Sequence, residues 1–309
     1  MNGPFHVGEQ WVQRRAGVRD KAEKIGNRMI RSVMPEQHRE FFAQLPAVLL
    51  GAVDNEGQPH ASILWGTPGF VWSPHPALLC LETSVSADDP VAPLLQPQAA
   101  VGLLGLEMPT RRRNRLNGRV VERDERGFSI AVAQSFGNCP KYIQAREWQS
   151  SPRPPGLVVE GDGLDGRWLA LVEEADTLFI ASQSPDANGG GADVSHRGGA
   201  PGFVRYGSDG RLWLPDYSGN QLFNTLGNLV RESRCGLLFI DFENGHLLQL
   251  QARAELVWPE RYAALNLTPP PGAERMLALT PGRWTLRCAG LPLSFSAPEA
   301  SPFLPREAV

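Results

Sequence analysis

The sequence predicts a mainly β protein: two tandem antiparallel barrels of short strands, with flanking helices. Three observations lead there. From Ala47 onward, short apolar segments alternate with turn residues such as Asp54-Asn55-Glu56-Gly57. A Pro-rich break at Pro152, Pro154 and Pro155 interrupts this pattern, which then restarts. The restart keeps register: Gly69 of PGFV meets Gly202 of a second PGFV 133 positions later, Gly102 of GLL meets Gly236 of GLL after 134, and Arg119 meets Arg253 after 134. Matches in three separate strands mean two copies of one unit. The chain divides accordingly into an N-terminal helical segment (1–45), a first barrel with a closing helix (46–150) and a second barrel (151–309).

Each element follows from local pattern. Gln10 to Lys24 is charged and amphipathic and reads as helix; another begins at Pro35, with proline in its first turn. Ala47 to Val53 is an apolar strand, and Gln58 to Trp65 returns beside it after the turn. Strands follow at Ala77 to Leu81, Val101 to Leu106 and Leu116 to Val121. GNCPKYIQAREW (Gly137 to Trp148) reads as the closing helix, capped by Asn138 and carrying Pro140 in its first turn. After the break come a helix (Gly166 to Glu174), a strand (Thr177 to Ala181), a polar loop and a strand from Arg211 to Leu214. Asn224 opens a further helix, Trp284 to Phe295 completes or covers the second barrel, and Pro298 to Val309 is an extended tail.

Polar chemistry concentrates between Asp193 and Asn228. Ser195, His196 and Arg197 stand just before Gly198-Gly199; Pro215, Asp216, Tyr217, Gly219 and Asn220 follow a strand; Asn224 and Asn228 come next. Arginine supplies a planar fork of donors suited to phosphate, and glycines let backbone N–H groups approach closely. Glycine and asparagine also mark ordinary turns. Composition alone leaves both readings open.

Longer motifs separate them. DVSHRGGAPGF (Asp193 to Phe203), PDYSGNQLFNTLGN (Pro215 to Asn228), GLLFIDFENG (Gly236 to Gly245) and QSFGNCPKYIQ (Gln134 to Gln144) resemble the FMN-binding proteins related to pyridoxamine 5'-phosphate oxidase. The resemblance runs from about Phe5 to Pro305 and extends to the leading segment of some larger flavin and iron–sulfur reductases. It implies the split β-barrel fold and FMN as cofactor. Barrels of that family pair with flavin at their interface, so a tandem chain implies a pseudo-dimer, with a further homodimer open. The cofactor-binding residues it implies are Ser195, His196, Arg197, Asp216, Tyr217, Gly219, Asn220, Asn224 and Asn228.

The two copies differ selectively. At an offset of 133, Ser195-His196-Arg197 falls on Ser62-Ile63-Leu64; at 134, Asp216, Tyr217, Gly219 and Asn220 fall on Glu82, Thr83, Val85 and Ser86. The second copy keeps the polar set, so one FMN per chain is expected. From the first copy, Asn138 and Lys141 at a helix N-terminus suit a phosphate; an ordinary capped helix is the plainer reading. The run Arg111-Arg112-Arg113-Asn114-Arg115 holds a phosphate or simply starts a solvated strand. His196 is the one group of the motif that titrates near neutrality, and so the candidate proton donor to flavin or substrate; no other catalytic residue is designated.

Composition excludes several classes. The 309 residues are 42% hydrophobic and 20% charged with a net charge of −3, typical of a globular protein and no case for nucleic acid or an anionic membrane. No apolar run approaches the roughly 18 residues of a spanning helix, and MNGPFHVGEQWVQRRAG has no apolar signal core, so a cytoplasmic location is expected. The four cysteines form no CxxC pair and the six histidines no HExxH, so no metal site is expected. Two function classes remain. One is an FMN-dependent oxidoreductase drawing on a small substrate or on NADH or NADPH; the other is a non-catalytic flavin, haem or deazaflavin carrier. Fold alone does not choose a substrate.

Overall fold

The computed structural model describes residues 3–154, 156–185 and 191–305. Pro155 of the proline break and residues 306–309 of the expected tail lie outside them. Three helices lead: α1 (Val7–Arg15), α2 (Arg19–Met29) and α3 (Glu36–Ala43). The first half holds β1 (Ala47–Val53), β2 (Pro59–Trp65), β3 (Val71–His75), β4 (Leu78–Leu81), β5 (Ala100–Glu107), β6 (Arg112–Arg123) and β7 (Phe128–Asn138). A crossing segment carries β8 (Trp148–Ser150) and β9 (Val158–Asp162). The second half holds α4 (Gly166–Glu174), β10 (Thr177–Ser184), β11 (Gly191–Gly198), β12 (Arg205–Tyr206), β13 (Leu212–Tyr217), α5 (Asn224–Arg231), β14 (Arg234–Ile240), β15 (Leu247–Val257) and β16 (Ala273–Arg287); β17 (Leu293–Phe295) pairs with β8.

The protein is mainly β, with two antiparallel sheets of the split-barrel kind. The first runs β2-β1-β5-β6-β7-β4-β3 and the second β11-β10-β14-β15-β16-β13-β12, so the two share one strand order, strand for strand. Period-2 alternation explains how they meet. Val48, Leu50 and Leu103 fill a core inside the first sheet, and Leu178, Ile180 and Leu237 fill one inside the second. Their neighbours Leu49, Leu104, Phe179 and Leu238 face the other way, into a third core shared by both halves. These four strands are buried on both faces, which is why they read as continuous apolar runs.

The repeated glycines have a steric reason. A Cβ on Gly102 would sit 2.7 Å from Asp193 Cα, and one on Gly236 would sit 2.8 Å from His60 Cα. Only glycine lets the sheets cross this closely.

Four expectations change. The N-terminal amphipathic stretch is two helices, because Gly17 turns with φ +72°. The closing helix at Gly137 to Trp148 does not form: Asn138 ends β7 opposite Arg113, Pro140 has no N–H to continue a ladder, and Tyr142 takes φ 64°. That segment instead crosses to the second half, where Arg146 pairs with Asp176 at 2.7 Å and Gln144 donates to Gly199 O at 2.8 Å. The tail is docked as far as it is described, with Glu299 bridged to Ala145 and the Ser301 N–H donating to Gln144. Finally, β4 and β13 are related by 133 positions, not 134. Leu81 pairs with Phe128 where Leu214 pairs with Leu277, so Asp216 matches Thr83 and not Glu82.

Candidate functional site

Where the two halves abut, β6 and the segment after β7 face β11, β13 and the start of α5 across a cleft of about 100 Å³. Ser195, His196, Arg197, Asp216, Tyr217, Gly219, Asn220 and Asn224 line it from the second half; Asn138 and Lys141 line it from the first. Asn228 stands apart, buried between Ser182 and His6 at 3.0 and 2.9 Å, where it ties α5 to β10 and the N-terminus. Gly198 is what allows the halves to close: a Cβ there would lie 2.0 Å from Tyr142 O.

The charges are uneven. Arg197 meets Asp216 at 2.7 Å, and Arg275 holds the other oxygen of Asp216 at 3.0 Å. Arg115 is buried, with one amino group 2.6 Å from Asp193 and the other on Ser195 Oγ. Burial pushes the Asp193 carboxyl up and the Arg115 guanidinium down, each offset in part by the other. Among the described residues Arg113 hydrogen-bonds to Cys139 O, at 2.7 Å, and Lys141 to Ser218 O, at 3.4 Å, with its ammonium 5.8 Å from the centre of the Phe303 ring. Neither has a carboxylate partner among the described residues. Desolvation, with Arg115 and Arg197 close by, brings Arg113 down to about 10.

Several donors also wait for an acceptor. Arg115 Nε, Arg197 Nε, Asn138 Nδ2 and His196 Nε2 are buried and lack a hydrogen-bond partner among the described residues. Ser195 Oγ accepts from both Arg115 and Thr225, the latter at 2.8 Å, so its own O–H hydrogen is left to donate. Asn138 Oδ1 accepts from Asn220 Nδ2 at 2.8 Å, which fixes which end of the amide is oxygen and leaves the buried Nδ2 without a partner among the described residues. An unsatisfied buried donor costs about 1–3 kcal/mol. A cluster of them beside unpaired cations is complementary to an anion.

His196 does not titrate near neutrality as expected. Burial, then Arg113, Arg197 and Arg146, hold it well below the ordinary imidazole range, and Phe179 packs edge-on at 5.7 Å. Tyr142 and Tyr217, 5.2 Å apart, and Phe223 give the cleft aromatic walls. Sequence reasoning weighed the run Arg111 to Arg115 as a phosphate holder or a solvated strand entry and did not single out Arg113 and Arg115, which line the cleft. The signal was present: alternate members of the run Arg111 to Arg115 share a strand face, and Arg111 instead binds Glu299 and Ile143 O.

No family model matches this sequence, and no curated protein does. Solved structures similar over part of the chain include the following three. A single-residue variant of Group A Streptococcus HupZ is 10% identical with a TM-score of 0.29, covering 39% of this chain and 97% of its own. A proposed pyridoxamine 5'-phosphate oxidase of Lactobacillus delbrueckii is 16% identical with a TM-score of 0.28, covering 34% and 95%. A proposed 5-nitroimidazole antibiotic resistance protein of Bacteroides thetaiotaomicron is 11% identical with a TM-score of 0.28, covering 44% and 92%. Likeness at this level reaches no residue of the cleft.

Proposed function

We propose that this chain is an FMN-binding protein, an internally duplicated pseudo-dimer that holds one flavin per chain between its halves. The observation that carries the reading is the set of unpaired cations and orphaned donors in the cleft. The residues fit a phosphate: Arg113, Arg115 and Lys141 supply charge, and Ser195 and Asn138 supply directed hydrogen bonds. At about 100 Å³ the cleft takes the phosphate end of the nucleotide; whole-ligand pockets are larger, about 300–1,000 Å³. Tyr142, Tyr217 and Phe223 provide the apolar wall that extends from it.

When bound, FMN supplies one- and two-electron transfer. The chain's own residues bind and orient it. Neutral His196, which lines the cleft, holds one ring proton, and its unpartnered Nε2 is a donor or acceptor that stays uncharged through physiological pH. That same neutrality favours the carrier reading as the alternative, since it takes His196 out of proton exchange near pH 7. Comparing FMN with riboflavin tests the proposal directly. By calorimetry, FMN should bind one per chain and riboflavin at least tenfold more weakly, because only FMN brings the dianion. Equal affinities, or two flavins per chain, would overturn it. Anaerobic bleaching of bound flavin by NADH or NADPH then separates an oxidoreductase from a carrier.

A further inference from the structure

The cleft has a twin at the equivalent place between the halves, and the twin already holds an anion. Register identifies the matching residues. Ser62 pairs with Leu50 as Ser195 pairs with Ile180, Gln249 pairs with Leu238 as Arg115 pairs with Leu104, and Arg287 pairs with Leu247 as Asn138 pairs with Arg113. In the twin, all three converge on one carboxylate. Ser62 O–H donates to Asp89 Oδ2, Arg287 donates to the same oxygen at 2.7 Å, and Gln249 donates to Oδ1 at 2.9 Å. The Val91 N–H adds a fourth bond at 3.1 Å. Asp89 and its partners are buried, and all but Asn138 of the six matched positions are nine-tenths buried or more.

We infer that Ser62, Gln249 and Arg287 form a second oxyanion-binding seat, occupied by the chain's own Asp89 carboxylate in place of a ligand. The positions matching Asp89 at the offsets of 133 and 134 that flank this loop are Leu222 and Phe223, and neither carries a charge. One cleft therefore keeps its donors and lacks the carboxylate; its twin has the carboxylate built in. Leu64 stands where the open cleft has Arg197, yet the twin does not lack a cation, since Arg287 supplies one; Asp89 closes it. The inference extends the proposed phosphate site but stands on hydrogen bonds and register, and its test uses no flavin.

Asp89 lines a groove of about 770 Å³ beside His60 and Gln249, so a small anion has a path to the seat once the carboxylate is gone. The variants are Asp89→Ala and Asp89→Ser; serine retains a cap for the Val91 N–H, so it is the safer fold. Melting temperature is measured in formate, in inorganic phosphate and in chloride at matched ionic strength. Both variants should melt below the parent in chloride, and formate or phosphate should raise them saturably. The rise should reach about 2 °C once the anion is roughly tenfold above its Kd. The rise is read as the excess over the parent, whose open cleft also admits phosphate, and adding Arg287→Gln should abolish that excess. A folded Asp89 variant that gains no more than the parent from either oxyanion, or an excess that survives Arg287→Gln, overturns the inference. So does failure of both variants to fold even in formate and phosphate. Because flavin is absent throughout, loss of the FMN reading would leave this result unchanged, and the converse holds too.

Discussion

Arg113→Met should move stability and affinity in opposite directions. Arg113 is a partly buried cation whose one partner is the Cys139 carbonyl, and desolvation leads the causes that bring it from 12.5 to about 10. At 1.36 kcal/mol per tenfold in proton affinity, that fall costs the folded state about 3 kcal/mol. Partial solvent access and the lost bond to Cys139 O leave a net gain of about 1–2 kcal/mol when the charge is removed. Methionine keeps much of the stem's apolar contact. The ligand-free variant should therefore melt about 1.5–3 °C above the parent. Binding should respond the other way. A charge-assisted hydrogen bond contributes about 1.5–3 kcal/mol, so FMN should weaken about 10- to 150-fold, while riboflavin changes little. Thermal melts without flavin and calorimetric titration with each flavin supply both numbers. A variant that melts lower and binds FMN unchanged would show Arg113 to be a structural cation, and the anion site would have to move elsewhere.

Other perturbations probe the same cleft. Arg197→Ala should weaken FMN by about one to two orders of magnitude, and Asp216 retains Arg275, so the fold should survive; undiminished affinity by titration counts against it. Arg119→Ala removes an exposed side chain bonded to Gln98 O and should leave both affinity and melting temperature unchanged. Gly198→Ala places a methyl group against Tyr142 O. It should cost about 1–3 kcal/mol in urea unfolding and weaken FMN, whereas an unchanged midpoint means the halves do not meet as described. Glu9 sits buried against Asn224, and burial raises its carboxyl to about 8 from 4.5. The folded state thus binds a proton more tightly than the unfolded state, and the associated stability declines as pH rises from about 4.5 through about 8. Glu9→Gln should flatten that decline, so its advantage over the parent should be larger at pH 8 than at pH 5. Parallel melting-temperature profiles would refute this.

The sequence by itself predicted the strand pattern and a common register in the two halves, and singled out the polar stretch from Asp193 to Asn228. Each is a local or repeated property. Ala47–Val53 and Gly166–Glu174 have the limits their apolar periodicity predicts. Gly102 and Gly236 could be matched because backbone contact at a sheet crossing admits no other residue. Local pattern misled at Gly137 to Trp148, where a capped-helix signature lost to the ladder between β6 and β7 and to contacts made across the halves. Tertiary structure alone decided which charges remain unpaired. Arg113 and Arg197 look alike in sequence, yet Asp216, brought over by β13, neutralises one and nothing described neutralises the other. The fate of the twin was likewise invisible, because Asp89 meets Arg287 across 198 positions of chain. Periodicity reports which face a residue takes; only the closed fold decides which distant group stands opposite it.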